Sequence, residues 1–376
     1  MQRTTIEKIV EKVCRYWVKD LRTYFVDREH EVKYLINEVE RLNNVARAHI
    51  LVITGPWGCG KSEYARALTH ALRDEENYVP IYIDMAEQEF EKVYATTRLD
   101  LKNIIEEFCR AVLGDRAAII LHTYKLSKYL AEKINLRNKT LLLIIDEVTK
   151  SLDKYRVSIR DLVASLSKKI YDISHELNCN IYPILLTSEQ TTTQHFTREA
   201  GKNLTVLQMW HLPEQAHRQL LNNLGTKHQH ELIIELTGGC PRTLYDIYIK
   251  YSGNLEAWLR QLIQEKIAPI YTLAIDLQQL EYLHEVLENP DNIRPMIPGI
   301  QEPKYVITRI MYEINIATQL VPDWLSPRPR TSYWIGKYRA YQVPAYYWIL
   351  KTMIEENTPD IEPRQVMDRV VKHLKQ

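Results

Sequence analysis

The stretch HILVITGPWGCGKSEYARALTHAL, residues 49–72, decides the fold. An apolar run of strand length leads directly into GPWGCGKS at 55–62, and a helical pattern follows at once. The middle segment fits the spacing G-x-x-x-x-G-K-[S/T], in which glycines let the backbone approach phosphate groups closely. Lys61 is then placed to reach the β- and γ-phosphates, and the Ser62 hydroxyl is placed to bind Mg²⁺. The stretch therefore predicts a triphosphate-binding loop between a buried strand and a helix.

This loop supplies the first candidate site. A glycine turn that carries a lysine by accident is the alternative. The chain has only 11 glycines among its 376 residues, and three of them fall in this loop, which favours the phosphate site. The residues predicted to contact the nucleotide are Gly55, Pro56, Trp57, Gly58, Cys59, Gly60, Lys61 and Ser62.

A second, acidic motif completes a triphosphate site. The apolar run TLLLIID at 140–146 ends in Asp146 and is followed by Glu147. An aspartate at the end of a strand near the phosphate loop can hold Mg²⁺, and the adjacent glutamate can orient or deprotonate an attacking water. Taken alone, the pair would equally suit an ordinary strand terminus. Its position after the phosphate loop favours the catalytic interpretation.

Strand-like and helix-like patterns alternate through the first half of the chain. Continuous apolar runs predict strands at 48–54, 79–84, 140–146, 181–187 and 204–209. Helical patterns lie at 61–74, 99–113, 118–135 and 155–177. Such alternation predicts an α/β domain with a mainly parallel sheet.

The remaining chain is mostly helical. We predict an amphipathic N-terminal helix in 1–22, a nucleotide-binding core at 23–211, a helical lid at 212–267 and a C-terminal domain at 268–376. The N-terminal stripe over 5–22 is expected to dock on the core rather than on a membrane or a partner. A second helix is expected to begin near Asp27 as its N-cap. Further helices are predicted at 213–224, 228–237, 242–251, 254–267, 273–288, 303–319, 343–356 and 363–375.

Composition limits the class of protein. Lys plus Arg total 49 and Asp plus Glu total 48, so the net charge of +1 leaves no general basic excess for nucleic acid, and any basic surface must be local. The five cysteines are widely spaced without a C-x-x-C pair, which predicts neither a disulfide framework nor a zinc module. The first residues do not resemble a signal peptide, and no uncharged apolar run reaches the length of a membrane span. We therefore expect a cytoplasmic protein with no membrane association.

The order of these parts resembles the AAA+ class of P-loop ATPases and, more narrowly, the archaeal STAND-type ATPases, which are related to origin-recognition ATPases. The resemblance covers residues 23–265. It implies a parallel-sheet core, a helical lid and a C-terminal domain that is mostly helical and similar to a modified winged helix, with a Tyr-rich hairpin at 331–342. It also implies ATP or ADP with Mg²⁺ as the bound nucleotide and metal.

The resemblance assigns further site residues. The segment FVDREHEVKYL looks like the element that packs near adenine, which places Asp27 and Arg28 at the nucleotide. The strand IYPILLTSEQ would present Thr187 or Ser188 as the sensor of the γ-phosphate, and both stay candidates. TGGCPR looks like the Gly-x-Pro element of the lid, with Pro241 near the base and Arg242 as the nearest charge. Arg198 lies where AAA+ rings supply an arginine finger, but a solvent-facing loop residue is the favoured interpretation.

Residues 324–351 allow two interpretations. The segment holds five basic residues, no acidic ones and eight Trp or Tyr. Interleaved basic and aromatic residues suit a nucleic-acid surface. They equally suit a tyrosine-rich core rimmed by arginines, which we favour.

These motifs lead to two main functional hypotheses. The first is a molecular switch that binds ATP and hydrolyses it slowly, in which the nucleotide bridges core and lid and a protein partner regulates turnover. The second is a DNA-binding ATPase, an initiator, transposition or repair factor that uses residues 324–351. Oligomerisation is compatible with both. A small-molecule kinase is disfavoured because Glu147 suits water activation, and GTP is disfavoured because no N-K-x-D motif follows the fourth strand.

Overall fold

The computed structural model describes residues 4–45, 49–84, 138–147, 159–201, 203–225, 230–297 and 299–376. The predicted helices at 99–113 and 118–135 lie outside these residues. The statements below concern the described part of the chain.

A five-stranded parallel sheet forms the centre of the fold, as predicted. Its strands are β3 (Ile50–Thr54), β4 (Tyr78–Asp84), β5 (Thr140–Asp146), β6 (Asn180–Leu186) and β7 (Leu204–Gln208). Their order is β4-β5-β6-β3-β7, and every neighbouring pair is parallel. Nearly all strand residues are buried, which explains why they read as continuous apolar runs. In the register, Asp84 lies beside Asp146, so the carboxyl ends of these strands meet at one edge.

The N-terminal segment differs from the single helix predicted over 5–22. Helix α1 (Thr5–Cys14) ends early, and a two-stranded antiparallel hairpin follows, made of β1 (Trp17–Val18) and β2 (Thr23–Tyr24). Trp17 and Leu21 fit helical spacing, but Trp17 is 47% exposed and stacks edge-to-face on Tyr24 across the hairpin. The apolar face of α1 itself is buried in the core, as expected.

The second helix, α2 (Glu29–Val45), does not begin with Asp27 as its N-cap. Asp27 and Arg28 both have positive φ angles, 63° and 72°, which L-residues adopt rarely. These two residues turn the chain sharply before the helix begins. The helix begins near Asp27, as expected, but the carbonyl oxygen of Arg28 accepts from the N–H of Val32, so Arg28 rather than Asp27 occupies the N-cap position.

Helices surround the sheet, and further helices make up residues 212–267, the predicted lid, which keeps that name below. The core helices are α3 (Lys61–Leu72), α4 (Ile159–Leu177) and α5 (Gln190–Glu199). The lid contains α6 (Glu214–Asn223), α7 (His230–Thr237), α8 (Pro241–Tyr245) with a π-helical turn (Asp246–Lys250), and α9 (Leu255–Leu262) with a second π-helical turn (Ile263–Ile267).

The C-terminal part contains α10 (Ala268–Asp276), α11 (Leu280–Glu288), α12 (Pro303–Glu313), β8 (Ala317–Gln319), β9 (Arg339–Tyr341), α13 (Pro344–Glu356) and α14 (Pro363–Leu374). Two predictions were wrong here. The helix expected at 273–288 is interrupted at Leu277–Gln279, where Gln278 has a φ of 56°. The helix expected at 303–319 ends at Glu313, and its last residues form β8, which pairs antiparallel with β9.

Two clusters of buried apolar residues can be traced in the described part of the chain. One lies between α1, α2, α3 and the sheet. The other extends from the lid through the C-terminal part. The predicted division at 267/268 falls inside the uninterrupted helical run from α9 to α10, so the four-part division stays a prediction. No described helix has both the length and the hydropathy needed to cross a membrane.

Candidate nucleotide-binding site

The phosphate loop connects β3 to α3 as the sequence predicts. Gly60 occupies the N-cap of α3 with a φ of 98°, and the helix begins at Lys61. Gly58 has a φ of 81°, and a Cβ at this position would lie 2.4 Å from the Cβ of Arg242. A glycine is therefore required both by the backbone turn and by the close approach of the lid.

Lys61 closes the loop onto itself. Its Nζ donates to the carbonyl oxygens of Gly55 and Pro56, each at 3.0 Å. The side chain is buried, with 7% of the residue exposed. The ammonium therefore lies inside the loop, at the N-terminus of α3, where backbone N–H groups and the helix dipole favour an anion.

Asp146 and Glu147 stand at the end of β5. Oδ2 of Asp146 accepts a 2.8 Å hydrogen bond from the hydroxyl of Tyr82, and Oδ1 accepts one of 3.0 Å from the main-chain N–H of Glu147. Burial, together with the charge of Asp146, raises the pKa of Tyr82 far above its usual value, so the phenol stays a hydrogen-bond donor. Glu147 has a φ of 54° and is less buried than Asp146.

The lid contacts the loop directly. The main-chain N–H of Arg242 donates to the carbonyl oxygen of Gly58 at 3.3 Å, and the thiol of Cys240 lies 3.5 Å from the same oxygen. The Arg242 guanidinium stacks over the rings of Trp57 and Tyr245, and its Nε lies 3.2 Å from a carboxylate oxygen of Asp246. Burial raises the pKa of the Cys240 thiol to about 12, so it stays protonated.

One cavity of about 260 Å³ brings these elements together. It is lined by Val18, Asp20, Leu21, Thr23, Tyr24, Phe25, Val26, Arg28, Trp57, Gly58, Cys59, Gly60, Lys61, Ser62, Glu63, Asp146, Glu147, Ser188, Leu212, Leu220, Pro241, Arg242 and Tyr245. Apolar side chains such as Leu21 and Phe25 share this lining with the phosphate loop and its acidic partners. This arrangement suits a ligand with an apolar ring and a phosphate chain.

Most of the predicted site residues line this cavity. Gly55, Pro56, Asp27 and Thr187 do not. Thr187 is buried, and its hydroxyl accepts from the N–H of Glu189 at 3.2 Å, whereas Ser188 faces the cavity. Arg198 lies in the last turn of α5 and lines a separate depression with residues of α4.

Arg28 lines the cavity, but its guanidinium group is bonded to other residues of the protein. It is 1% exposed and forms an ion pair of 2.7 Å with Glu31. It also donates to the carbonyl oxygens of Cys59 at 2.7 Å and Trp210 at 2.8 Å. The side chain therefore joins α2, the phosphate loop and the segment that follows β7.

Sequence reasoning missed the contribution of the hairpin. Val18, Asp20, Leu21, Thr23 and Tyr24 line the cavity. The signal was present as β-branched and aromatic residues on both sides of a polar turn. The helical spacing of Trp17 and Leu21 concealed it.

The residues present fit a magnesium ion. Ser62 and Asp146 supply a hydroxyl and a carboxylate oxygen to the same cavity, which are the ligands that Mg²⁺ accepts beside phosphate oxygens and water. Among the described residues, no group of three or more His, Cys, Asp or Glu could hold a metal by itself.

Most aromatic side chains of segment 324–351 are buried inside the protein. Trp334, Tyr341, Tyr346, Tyr347 and Trp348 are buried. Isolated bridges join Ser332 to Ile335 and Ile335 to Ala340, within the predicted hairpin at 331–342.

The basic residues of this segment differ in their exposure to solvent. Arg328, Arg330 and Lys337 are exposed, and Arg339 is partly buried. The Asp291 carboxylate accepts from the main-chain N–H groups of Lys337, Tyr338 and Arg339.

Comparison with known proteins identifies the family. Residues 25–247, more than half of the chain, match the family described as an ATPase domain predominantly from Archaea. None of the curated proteins matches the chain.

The chain is similar to several solved structures at low sequence identity. The ORC2 protein of Aeropyrum pernix in its ADP form is 13% identical with a TM-score of 0.46, covering 90% of this chain and 98% of that chain. Cdc6p from Pyrobaculum aerophilum is 13% identical with a TM-score of 0.41, covering 95% and 98%. The RuvB Holliday junction branch migration motor of Thermotoga maritima is 12% identical with a TM-score of 0.36, covering 82% and 93%.

The residues that match the family include the phosphate loop, the strand that ends at Asp146–Glu147 and the predicted Gly-x-Pro element of the lid. The chain therefore belongs to the family of ATPase domains found predominantly in Archaea.

Proposed function

We propose that this protein binds Mg·ATP between its core and lid, hydrolyses it slowly, and acts as a molecular switch for the C-terminal domain and a protein partner. The observation that carries the proposal is that Lys61, Glu147 and Arg242 line the same cavity. The three residues come from the phosphate loop, the acidic strand and the lid. A ligand that contacts all three would tie these elements together.

The chain's own groups suggest how hydrolysis would proceed. The loop N–H groups and Lys61 would bind the phosphates, and Ser62 and Asp146 would hold Mg²⁺, which supplies charge neutralisation when bound. Glu147 would orient the attacking water and accept its proton, and Ser188, which lines the cavity, would contact the γ-phosphate as its sensor. Since the Glu147 side chain is only partly buried, a further group from a partner or a lid movement would be needed to exclude solvent, which is consistent with slow basal turnover.

The proposal is tested by nucleotide binding. Lys61→Ala should lose Mg·ATP and ADP affinity by at least about tenfold, because it removes a charged phosphate contact. The matched control is Lys250→Ala, an exposed lysine outside this cavity. Isothermal titration measures both, with melting curves to confirm folding. Equal affinity in wild type and Lys61→Ala would reject the phosphate-loop assignment.

A second candidate function is a DNA-acting ATPase. The observation that favours it is the exposed group of Arg328, Arg330 and Lys337 beside Tyr338, which is 56% exposed. Three phosphate contacts would give a slope of about −3 for log affinity against log salt, by the release of roughly 0.9 counterions per contact. A duplex titration at several salt concentrations, repeated with Arg328→Ala/Arg330→Ala, tests this surface. Tight, nucleotide-dependent binding that the double variant loses would favour the DNA-acting ATPase over the switch.

A further inference from the structure

Gln342 lies between the C-terminal domain and the phosphate loop. It follows β9 directly, precedes α13, and is 2% exposed. Its Oε1 accepts a 2.8 Å hydrogen bond from the main-chain N–H of Trp57, at a separation of 285 residues along the chain. The phosphate loop is therefore bonded to the C-terminal domain by a buried amide.

The orientation of this amide is fixed by its other partners. Nε2 donates to Oδ1 of Asn315 and to the carbonyl oxygen of Ala317, both at 3.3 Å. The main-chain N–H of Gln342 donates to the oxygen of Ile316 at 2.7 Å, and its carbonyl accepts from Nε2 of His211 at 2.7 Å. Because the nitrogen faces two oxygen acceptors, the amide oxygen must face Trp57.

The loop is held from a second side by the lid. Trp57 stacks under the Arg242 guanidinium, 5.1 Å from its ring centroid, and the next residue, Gly58, accepts from the Arg242 N–H. The tip of the loop is thus fixed between the lid and the C-terminal domain. Separation of the C-terminal domain would free the Trp57 amide and leave the amide oxygen of Gln342 without this donor.

We infer that Gln342 is a positioning residue for the phosphate loop, and that nucleotide binding and docking of the C-terminal domain favour each other through it. The inference rests on the proposed nucleotide-binding function. A loop held in one conformation loses less conformational entropy when it binds phosphates, so docking raises nucleotide affinity. By reciprocity, bound nucleotide then stabilises docking by the same factor.

The variant Gln342→Met tests the coupling, because methionine has similar length and no amide. Gln208→Met is the matched control. Gln208 is a fully buried glutamine that donates to the oxygen of Gln319 at 3.3 Å and accepts from the N–H of Val321 at 2.6 Å. It therefore also joins the core to the C-terminal domain, but its side-chain hydrogen bonds go to Gln319 and Val321 and not to the phosphate loop.

The expected result is a loss of ADP affinity of about threefold to tenfold in Gln342→Met, the size of one buried hydrogen bond. Gln208→Met should stay within about twofold of wild type. Isothermal titration with ADP measures this. Equal or tighter ADP binding by Gln342→Met overturns the coupling while leaving the proposed nucleotide site intact. Absence of ADP binding by the wild-type chain overturns both.

Hydrogen exchange on the unaltered protein gives a second test that does not depend on how a variant folds. ADP should slow exchange of the Trp57 amide and of amides in 315–319, the range whose residues Asn315, Ile316 and Ala317 are bonded to Gln342. In Gln342→Met the effect on 315–319 should disappear. Exchange in 315–319 that is the same with and without ADP in the wild-type protein, despite ADP binding, overturns the inference.

Discussion

The hydroxyl of Tyr82 on β4 donates to the carboxylate of Asp146 on β5, at 2.8 Å. The two strands are parallel neighbours, and Tyr82 is paired in register with Ile144, two residues before the aspartate. Tyr82 is 1% exposed, and the Arg66 guanidinium lies over its ring at 5.4 Å. The carboxylate proposed to hold Mg²⁺ is therefore oriented by the adjacent strand.

Tyr82→Phe should weaken metal binding while preserving the fold. The change removes only the hydroxyl, so Asp146 would lose a donor that orients it, and an outer-shell loss of this kind typically costs about 10- to 100-fold in metal affinity. Titration of Mn²⁺ into the ADP complex measures the effect. Metal-free ADP binding serves as the control and should be unchanged. If Mn²⁺ affinity is the same as in wild type, Tyr82 does not orient the metal ligand.

Glu147→Gln should retain nucleotide binding and stop hydrolysis. The amide preserves the shape of the side chain but cannot accept the proton of the attacking water. A loss of about 100-fold or more in single-turnover rate is expected. The matched control is Glu189→Gln, another glutamate that follows a strand of the sheet. Wild-type hydrolysis by Glu147→Gln would mean that a different residue orients the water.

Arg28→Met should destabilise the protein strongly. It removes the ion pair with Glu31 and leaves that carboxylate buried, which costs on the order of 3–5 kcal/mol. The oxygens of Cys59 and Trp210 also lose their donor. Urea unfolding measures the free energy.

The double variant Arg28→Met/Glu31→Gln provides the control, because it no longer buries an unpaired charge. We expect it to recover part of the loss. If it is as unstable as the single variant, the cost lies in the carbonyl contacts rather than in the carboxylate.

Acid should destabilise the fold through two buried histidines. Burial lowers the pKa of His211 to about 3, with added repulsion from Arg28 and Lys61, and lowers the pKa of His217 to about 4 beside Arg218. In the unfolded chain both would titrate near 6.5, so the unfolded state binds more protons below that pH. Stability therefore falls as the pH drops from about 6.5 towards 3–4, by about 2 kcal/mol for each histidine at pH 5.

Unfolding free energies at pH 7.5 and pH 5.0 check this expectation. His211→Gln/His217→Gln should show a smaller difference between the two pH values than wild type, because the carboxylates that titrate are common to both proteins. An identical difference would mean that the histidines are protonated in the folded state.

The sequence predicted the sheet and the phosphate loop well, for a physical reason. Strands buried on both faces appear as uninterrupted apolar runs, and β5 was placed at its observed bounds. The loop motif fixes the residues around Lys61 because few other residue types permit that backbone conformation. These signals are local and therefore readable along the chain.

Features that depend on long-range contacts could not be predicted from the sequence. The hydrogen bond from Trp57 to Gln342 joins residues that no local pattern relates. The hairpin at Trp17 to Tyr24 was concealed by helical spacing, and the break at Gln278 lacks a glycine or proline to announce it. Ser188 and Thr187 could not be separated from sequence because only the turn of the backbone after β6 determines which one faces the cavity.

The C-terminal segment also covers one edge of the central sheet, at strand β7. The main chain of Gln208, on the outer strand β7, donates to the oxygen of Asp323 and accepts from the N–H groups of Leu325 and Ser326. An open strand margin is a template for pairing with another chain. A shortened protein that stopped where the family match ends, at residue 247, would expose these groups together with the buried Trp210. We therefore expect the shortened protein to self-associate. The residues after 247 would then keep the protein soluble, in addition to any part they have in the proposed switch.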